Sequence, residues 1–295
     1  MTNGETVPRL AIITPSYAPD FELCADLHAS VRAFVPEVEH HIIVPRRDLA
    51  RFRSLTGRRT QVHDVAEYLP RTFLTLPAVN GWVNARRPFP PIRGWIAQQI
   101  VKLAAAARLE ADVALLIDSD IEVIRPFGAD TYRRDGTTRF FRKPGAVHDG
   151  MPRHLVWHEA ARRMLGLPPG RPPYTDYICA PAPWDPAIVR GLLARVEEVA
   201  GRPWPTVVGA ELHFSELILY GVYVDELLGA PATGYPSDDM LCPQYFDEVP
   251  LDEAGLTAFL DRVRPADIAV MISAKSGTPI ALRRAALAAF AAKRR

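Results

Sequence analysis

Apolar residues along the chain fall into two alternating rhythms. Short unbroken runs at Arg9–Thr14 (RLAIIT), His41–Val44 (HIIV) and Asp112–Ile117 (DVALLI) have the length and content of buried strands. Between them, Leu23, Leu27, Val31 and Phe34 recur at helical spacing, with Asp20 placed to cap that helix. Ile96, Ile100, Leu103 and Ala107 draw one amphipathic helix over Ile92–Leu109. Gln61–Val65 predicts a weaker third strand, and Asp48–Leu55 a charged helix. Leu69–Pro91 holds five prolines and the pair Asn80-Gly81, which predicts an ordered loop without regular structure. Strands alternating with helices through short connections predict an α/β fold with a mostly parallel central sheet.

The character changes after Pro126. Thr137–Phe141 reads as a strand, Arg153–Leu165 as a helix and Pro168–Pro173 as a break. Asp185–Ala200 and Glu211–Tyr220 are helical by period, Asp267–Ile272 is a last strand, and Pro279–Lys293 is an Ala-rich helix with a basic face. With no repeat and no linker, residues 1–295 are expected to form one compact domain with two halves, 1–126 and 127–295.

Composition narrows the function. A net charge of +1 removes the electrostatic case for a nucleic-acid partner. Cys24, Cys179 and Cys242 are odd in number and far apart, which suits neither a disulfide framework nor a metal cluster. No apolar run approaches the roughly 20 residues that span a bilayer, so a soluble, cytoplasmic protein is expected. Only four lysines occur (Lys102, Lys143, Lys275, Lys293), so a lysine kept away from the terminus draws attention.

The strongest chemical signal is LLIDSDIEVIRP. An apolar strand runs into Asp118-Ser119-Asp120, carboxylates two residues apart where strand regularity breaks, able to converge on one hard cation. At the carboxyl edge of a parallel sheet, where ligands sit, such a cation would keep positions open for phosphate oxygens.

On these residues the chain resembles the GT-A glycosyltransferases, which transfer sugars from nucleotide donors with a metal bound at D-x-D. The resemblance covers roughly the first 130 residues well and the rest in scattered motifs. It implies a GT-A, Rossmann-like sheet flanked by helices, with nucleotide-binding and acceptor halves. It implies Mn²⁺ or Mg²⁺ at Asp118 and Asp120, with Ser119 between them, and a nucleoside-diphosphate sugar as donor, UDP favoured. Thr14, Pro15, Ser16 and Tyr17 would lie beside the base, Asp64 would contact it, and Gln98 and Lys102, four apart, would face the nucleotide. The acceptor would be a small molecule or a glycan; oligomeric state and anomeric outcome stay open.

The second half offers further groups. Asp176, in Tyr174-Thr175-Asp176-Tyr177, could grip a sugar hydroxyl. Glu211 and Glu216, in ELHFSELILYG, are rival general bases; Glu216 is preferred because Leu217, Leu219 and Tyr220 would anchor it at the cleft rim, with Asp176 behind it. Lys275, in MISAKSGTP, could hold a diphosphate. Many GT-A enzymes complete the metal shell with a late histidine, but none follows His213 here; either the metal has Asp120, Asp118 through water and donor phosphates, or Lys275 substitutes as a cation, or Asp238 and Asp239 serve. His154 and His158 have zinc-like spacing without a third ligand. Two other readings compete. A haloacid-dehalogenase-like phosphatase would use Asp118 as nucleophile and Asp120 beside it, yet on its first strand, whereas three candidate strands precede Asp118. A non-catalytic nucleotide-sugar or carbohydrate binding protein would share every group except a base.

Overall fold

The computed structural model describes residues 8–75, 81–229 and 234–293, without the side chains of residues 87 and 90. Along the chain, β1 (Leu10–Pro15), α1 (Phe21–Phe34), β2 (Glu39–Val44), the one-turn α2 (Leu49–Phe52) and β3 (Thr60–Asp64) lead into a meander of β4 (Phe73–Thr75), β5 (Gly81–Asn84) and β6 (Arg87–Arg93). Helix α3 (Gly94–Arg108) returns to β7 (Val113–Leu116), and β8 (Ile121–Val123) leaves the sheet. Then come α4 (Ala129–Tyr132), β9 (Arg133–Arg134), β10 (Thr137–Phe141), β11 (Lys143–Val147), α5 (Pro152–Leu165), β12 (Tyr174–Asp176) and β13 (Ala182–Trp184). The chain continues through α6 (Pro186–Ala200), α7 (Trp204–Val208), α8 (Glu216–Val222), β14 (Gly234–Ser237), β15 (Gln244–Tyr245), α9 (Glu253–Leu260), β16 (Ala269–Ile272) and α10 (Ile280–Ala292).

The central sheet has the order β3-β2-β1-β7-β13. The first four strands are parallel and β13 closes the edge antiparallel to β7. This is the mostly parallel α/β architecture the sequence predicts. The unbroken apolar runs are explained by the two faces they serve. Ile13, Ala114 and Leu116 pack with Ile96, Ile100 and Leu103 of α3 and Leu192 of α6. Ile12, Val113, Leu115 and Ile117 pack with Leu27 and Val31 of α1 and Ile121 of β8 on the other side. Alternate residues of each strand thus enter different cores, and both must be apolar.

Three local expectations are corrected. Leu69–Pro91 is not free of regular structure but forms the antiparallel meander β4-β5-β6, with Asn80 outside the described residues. Its prolines at 88, 90 and 91 lie in β6, an edge of that sheet, between the paired residues Arg87 and Ile92 where the register with β5 shifts, so their missing N–H groups are tolerated. In place of the helix expected over Asp48–Leu55, three short turns cover 46–55, and the buried Asp48 carboxylate accepts the Ala18 N–H at 3.0 Å. The helix expected from Glu211 begins at Glu216, where Ser215 Oγ accepts the Ile218 N–H and starts it.

His40, on β2, is 1% exposed, and its Nε2 pairs with Thr14 Oγ1 at 2.9 Å. Burial, then repulsion by His28 and His41, pushes its pKa down to about 3. The unfolded chain binds this proton below about 6.5 while the folded chain does not, so stability falls as pH drops from 6.5 towards 3. His40→Gln should flatten that decline by up to about 1.4 kcal/mol per pH unit. Urea midpoints at pH 7 and pH 5 read this; parallel losses in parent and variant would refute it.

Candidate functional site

The strand order reverses its direction of growth at β1, with β2 on one flank and β7 on the other. In open α/β sheets the crevice beyond the carboxyl ends of two such strands is the natural ligand site. A cavity of about 510 Å³ lies there. Pro15, Ser16 and Tyr17 after β1 and Asp118, Ser119 and Asp120 after β7 form two of its walls. Trp82 of β5, with Trp95 and Gln98 of α3, forms a third, and Ser273, Ala274 and Lys275 a fourth. Asp20, which the sequence suggested as a helix cap, makes no side-chain cap and instead borders the cavity.

The two strand ends are stitched together by Ser119 Oγ donating to Ser16 Oγ at 2.9 Å. Cys24 is fully buried, and burial raises its thiol to about 12, so it stays neutral beside Ser16 and Ser119. Thr14, expected beside the base, is fully buried against His40 and does not border the cavity. Tyr17, 39% exposed, and Trp95, 41% exposed, offer open ring surface.

Asp118 divides its carboxylate between protein and cavity. Its Oδ1 is 2.9 Å from Lys102 Nζ, yet its side chain is 47% exposed. Asp120 Oδ2 accepts the Ala274 N–H at 2.9 Å, and Arg283 donates to the Asp120 carbonyl at 3.1 Å. Burial, then the neighbouring Asp118 charge, pushes Asp120 up to about 6, against the pull of Ala274 and Arg283. Two carboxylates that repel each other at a cavity wall, offering only oxygen, fit a hard divalent cation. Among the described residues no group of three or more metal-capable side chains exists, so the remaining ligands would be phosphate oxygens and water.

Lys102 and Glu216 occupy a different place from the one the sequence suggested. Lys102 does not border the cavity; its ammonium lies behind Asp118 and 3.2 Å from Glu216 Oε1. Burial alone would lower its pKa, but Asp118 and then Glu216 outweigh that and hold it raised. Glu216 is 5% exposed, so the expected rim carboxylate is corrected to a buried counter-ion. A free base would need reach to the acceptor, and this one is engaged. Gln99, which the sequence reading passed over for Gln98, is 2% exposed and accepts the Glu216 N–H at 2.8 Å. Gln99 and Lys102, three apart on α3, therefore grip the first turn of α8 together. A Gln inside an otherwise apolar helical stripe was the available signal.

Lys275 reaches the cavity through a second small sheet, β15-β16-β8. The backbone leaves β16 into a turn capped by Ser273, whose Oγ accepts the Lys275 N–H at 3.3 Å. The Lys275 side chain is 75% exposed, and its nearest acid, Glu248, is 4.0 Å away. It is the lysine that faces the cavity.

The other candidates lie elsewhere. Asp64 is buried, caps the turn Val65–Glu67 and accepts from Arg46 at 2.7 Å; it is a structural cap and its neighbour Val65 borders the cavity instead. Asp176, on β12, accepts the Ile178 N–H at 3.0 Å and does not border the cavity. Glu211 pairs with Arg163 at 2.6 Å, and Asp239 with Arg264 at 2.6 Å. His154 packs on Trp157 and His158 stacks on Tyr174, with no third ligand group among the described residues.

Comparison with known proteins returns three findings. The model of one family, described as a family of unknown function (DUF6492), matches residues 8–241. No curated protein matches the sequence. Solved structures to which the chain is similar are glycosyltransferases. One is the galactosyltransferase LgtC in complex with donor and acceptor sugar analogues, 13% identical, covering 96% of this chain and 95% of that one, with a TM-score of 0.44. An active-site mutant of LgtC has the same identity and coverage and a TM-score of 0.46. The bifunctional glycosyltransferase WbbM, without ligand, is 13% identical over 91% of this chain and 46% of its own, with a TM-score of 0.47.

Proposed function

We propose a function for this chain, which belongs to the DUF6492 family: it transfers a sugar from a nucleoside-diphosphate donor, UDP favoured, to a hydroxyl of a small molecule or glycan. The observation that carries the reading is one cavity lined by Asp118 and Asp120, by Lys275 on the turn that Asp120 holds, and by Tyr17, Trp82 and Trp95. Each part suits a portion of such a donor. The aromatic rings offer faces for a nucleobase or sugar. The Lys275 ammonium and the backbone amides of its turn suit a diphosphate. Asp118 and Asp120 would hold Mn²⁺ or Mg²⁺, which supplies charge neutralisation to a departing diphosphate. Asp20, raised in pKa by burial and then by Asp118, is the further acid at the wall and would accept a hydroxyl of the donor or acceptor.

The chain's own work is orientation. Lys102 fixes one oxygen of Asp118 and Ala274 fixes one oxygen of Asp120, so both carboxylates enter the cavity preset. With Glu216 and Asp176 away from the cavity, neither supplies the general base. The phosphatase reading is disfavoured because Asp118 follows β7, with β1, β2 and β3 of the same sheet before it in the chain, and has one oxygen held by Lys102.

Thermal unfolding with UDP, GDP, dTDP and CDP, each with and without Mn²⁺, tests the reading. One nucleotide should raise the melting temperature, and Mn²⁺ should enlarge the rise, since a ligand that binds only the folded state stabilises it. Lys275→Ala should weaken that nucleotide roughly tenfold, the scale of one lost charge-assisted bond, with no loss of stability. If no nucleotide raises the melting temperature under either condition, the donor assignment fails. Hydrolysis or transfer from the matching nucleotide sugar then separates an enzyme from a binding protein.

A further inference from the structure

The segment Arg71–Arg93 contains four arginines and no acidic residue, in a chain whose net charge is only +1. Its described residues carry the strands β4, β5 and β6 of the meander. Its inner side chains are accounted for: Phe73 and Ile92 enter the main core, and Trp82 borders the cavity. Its outer side chains are not. Leu74, adjacent to Phe73 on β4 and so on the opposite face, is 54% exposed. Phe89 on β6 is 79% exposed, more than any other large apolar side chain among the described residues. Arg71, Arg86 and Arg93 are exposed around them. The apolar area continues onto the neighbouring loop, because the Arg93 guanidinium reaches the Leu212 carbonyl and lies 3.2 Å from His213 Nδ1, and Leu212 is itself 51% exposed.

We propose that this meander is a docking surface for an anionic lipid bilayer. Apolar tips ringed by arginines, with no acid in the segment, complement a surface whose outer layer is phosphate and whose inner layer is acyl chain. Phe89 is the one exposed aromatic ring of the patch among the described residues, and Leu74 and Leu212 offer nothing for a nucleobase to stack on. The face thus lacks the row of rings of a single-strand nucleic-acid platform. Among the described residues no helix is long and apolar enough to cross a membrane. Trp82 belongs to the same meander as Phe89 and to the cavity wall, so docking brings the cavity close to the lipid surface. That an acceptor is met there rests on the sugar-transfer reading; the docking itself does not.

Co-sedimentation with vesicles tests it, using phosphatidylcholine alone and equal parts phosphatidylcholine and phosphatidylglycerol. The intact chain should sediment with the anionic vesicles and not with the neutral ones, and added salt should release it. Arg86→Ala should weaken the partition roughly fivefold, the equivalent of about 1 kcal/mol per basic residue at the surface. Phe89→Ser should weaken it at least as much, while Leu227→Ser, at an exposed apolar position outside the meander, should not. Equal melting temperatures establish that the variants are folded. Asp120→Asn should bind vesicles as the parent does, which keeps this test apart from the donor-site reading. Equal sedimentation with both vesicle types, no sedimentation with either, or parent-like binding by both Arg86→Ala and Phe89→Ser would overturn the proposal.

Discussion

Lys102→Met should be the most destabilising single substitution at the site, by about 3–5 kcal/mol, the cost of leaving a buried charge without its partner. The Lys102 side chain is 11% exposed and that of Glu216 is 7% exposed, so removing the ammonium strands Glu216 where water cannot reach it. The Asp118 carboxylate, more open, loses less because solvent takes over part of the role. The damage is therefore specific to one pair, and a second substitution should reverse much of it. Lys102→Met with Glu216→Gln removes both charges and should be more stable than Lys102→Met alone, with a coupling of at least 1 kcal/mol. Glu216→Gln alone should cost less than Lys102→Met, because Asp118 still balances the ammonium. Urea unfolding of the four proteins measures the cycle; additive losses would mean that the ion pair does not hold α8 to α3.

The same pair shows where sequence reading stopped. Spacing alone put Gln98 and Lys102 on one face of α3, and Lys102 drew attention through the scarcity of lysine. What spacing could not supply was depth: Gln98 borders the cavity, whereas Lys102 lies beneath Asp118. Depth depends on what packs over the helix, here the first turn of α8, more than a hundred residues away in the chain. The period puts Glu216 inside a helix, and Leu217 and Leu219 suggest a rim position, but the polar grip of Gln99 and Lys102 takes it inward at the helix's first turn. The central strands were legible because burial on both faces leaves an unbroken apolar run, as in β1 and β7. The meander was not, because the prolines of β6 mask a strand that lies at an edge. Asp20 was misjudged for a related reason: its type and position suit a cap, and only the fold of β1 beside β7 turns it towards the cavity.

Asp120→Asn should lower transfer by two to four powers of ten, the scale of the several kcal/mol that a bound cation contributes to a developing charge. It should do so without unfolding the chain. Asn keeps the volume and an oxygen to accept the Ala274 N–H, so the turn that carries Lys275 stays in place. The stability effect even has the opposite sign. Asp120 is raised from 3.8 to about 6, so the folded chain holds this proton more tightly than the unfolded chain does. Its contribution is therefore most favourable at low pH, declines as pH rises from 3.8 through 6, and is unfavourable above that. In the presence of chelator at pH 7 the neutral variant should be more stable than the parent, by an amount on the order of 1–3 kcal/mol. At pH 4 the two should converge, since the parent is then protonated as well. Adding Mn²⁺ with the nucleotide should raise the melting temperature of the parent and leave that of the variant nearly unchanged. A carboxylate that is costly to the empty fold and required for transfer is one kept for what it binds. Full transfer by Asp120→Asn, or by the parent in excess chelator, would remove the cation from the reading; a variant less stable than the parent at pH 7 would return Asp120 to a structural role.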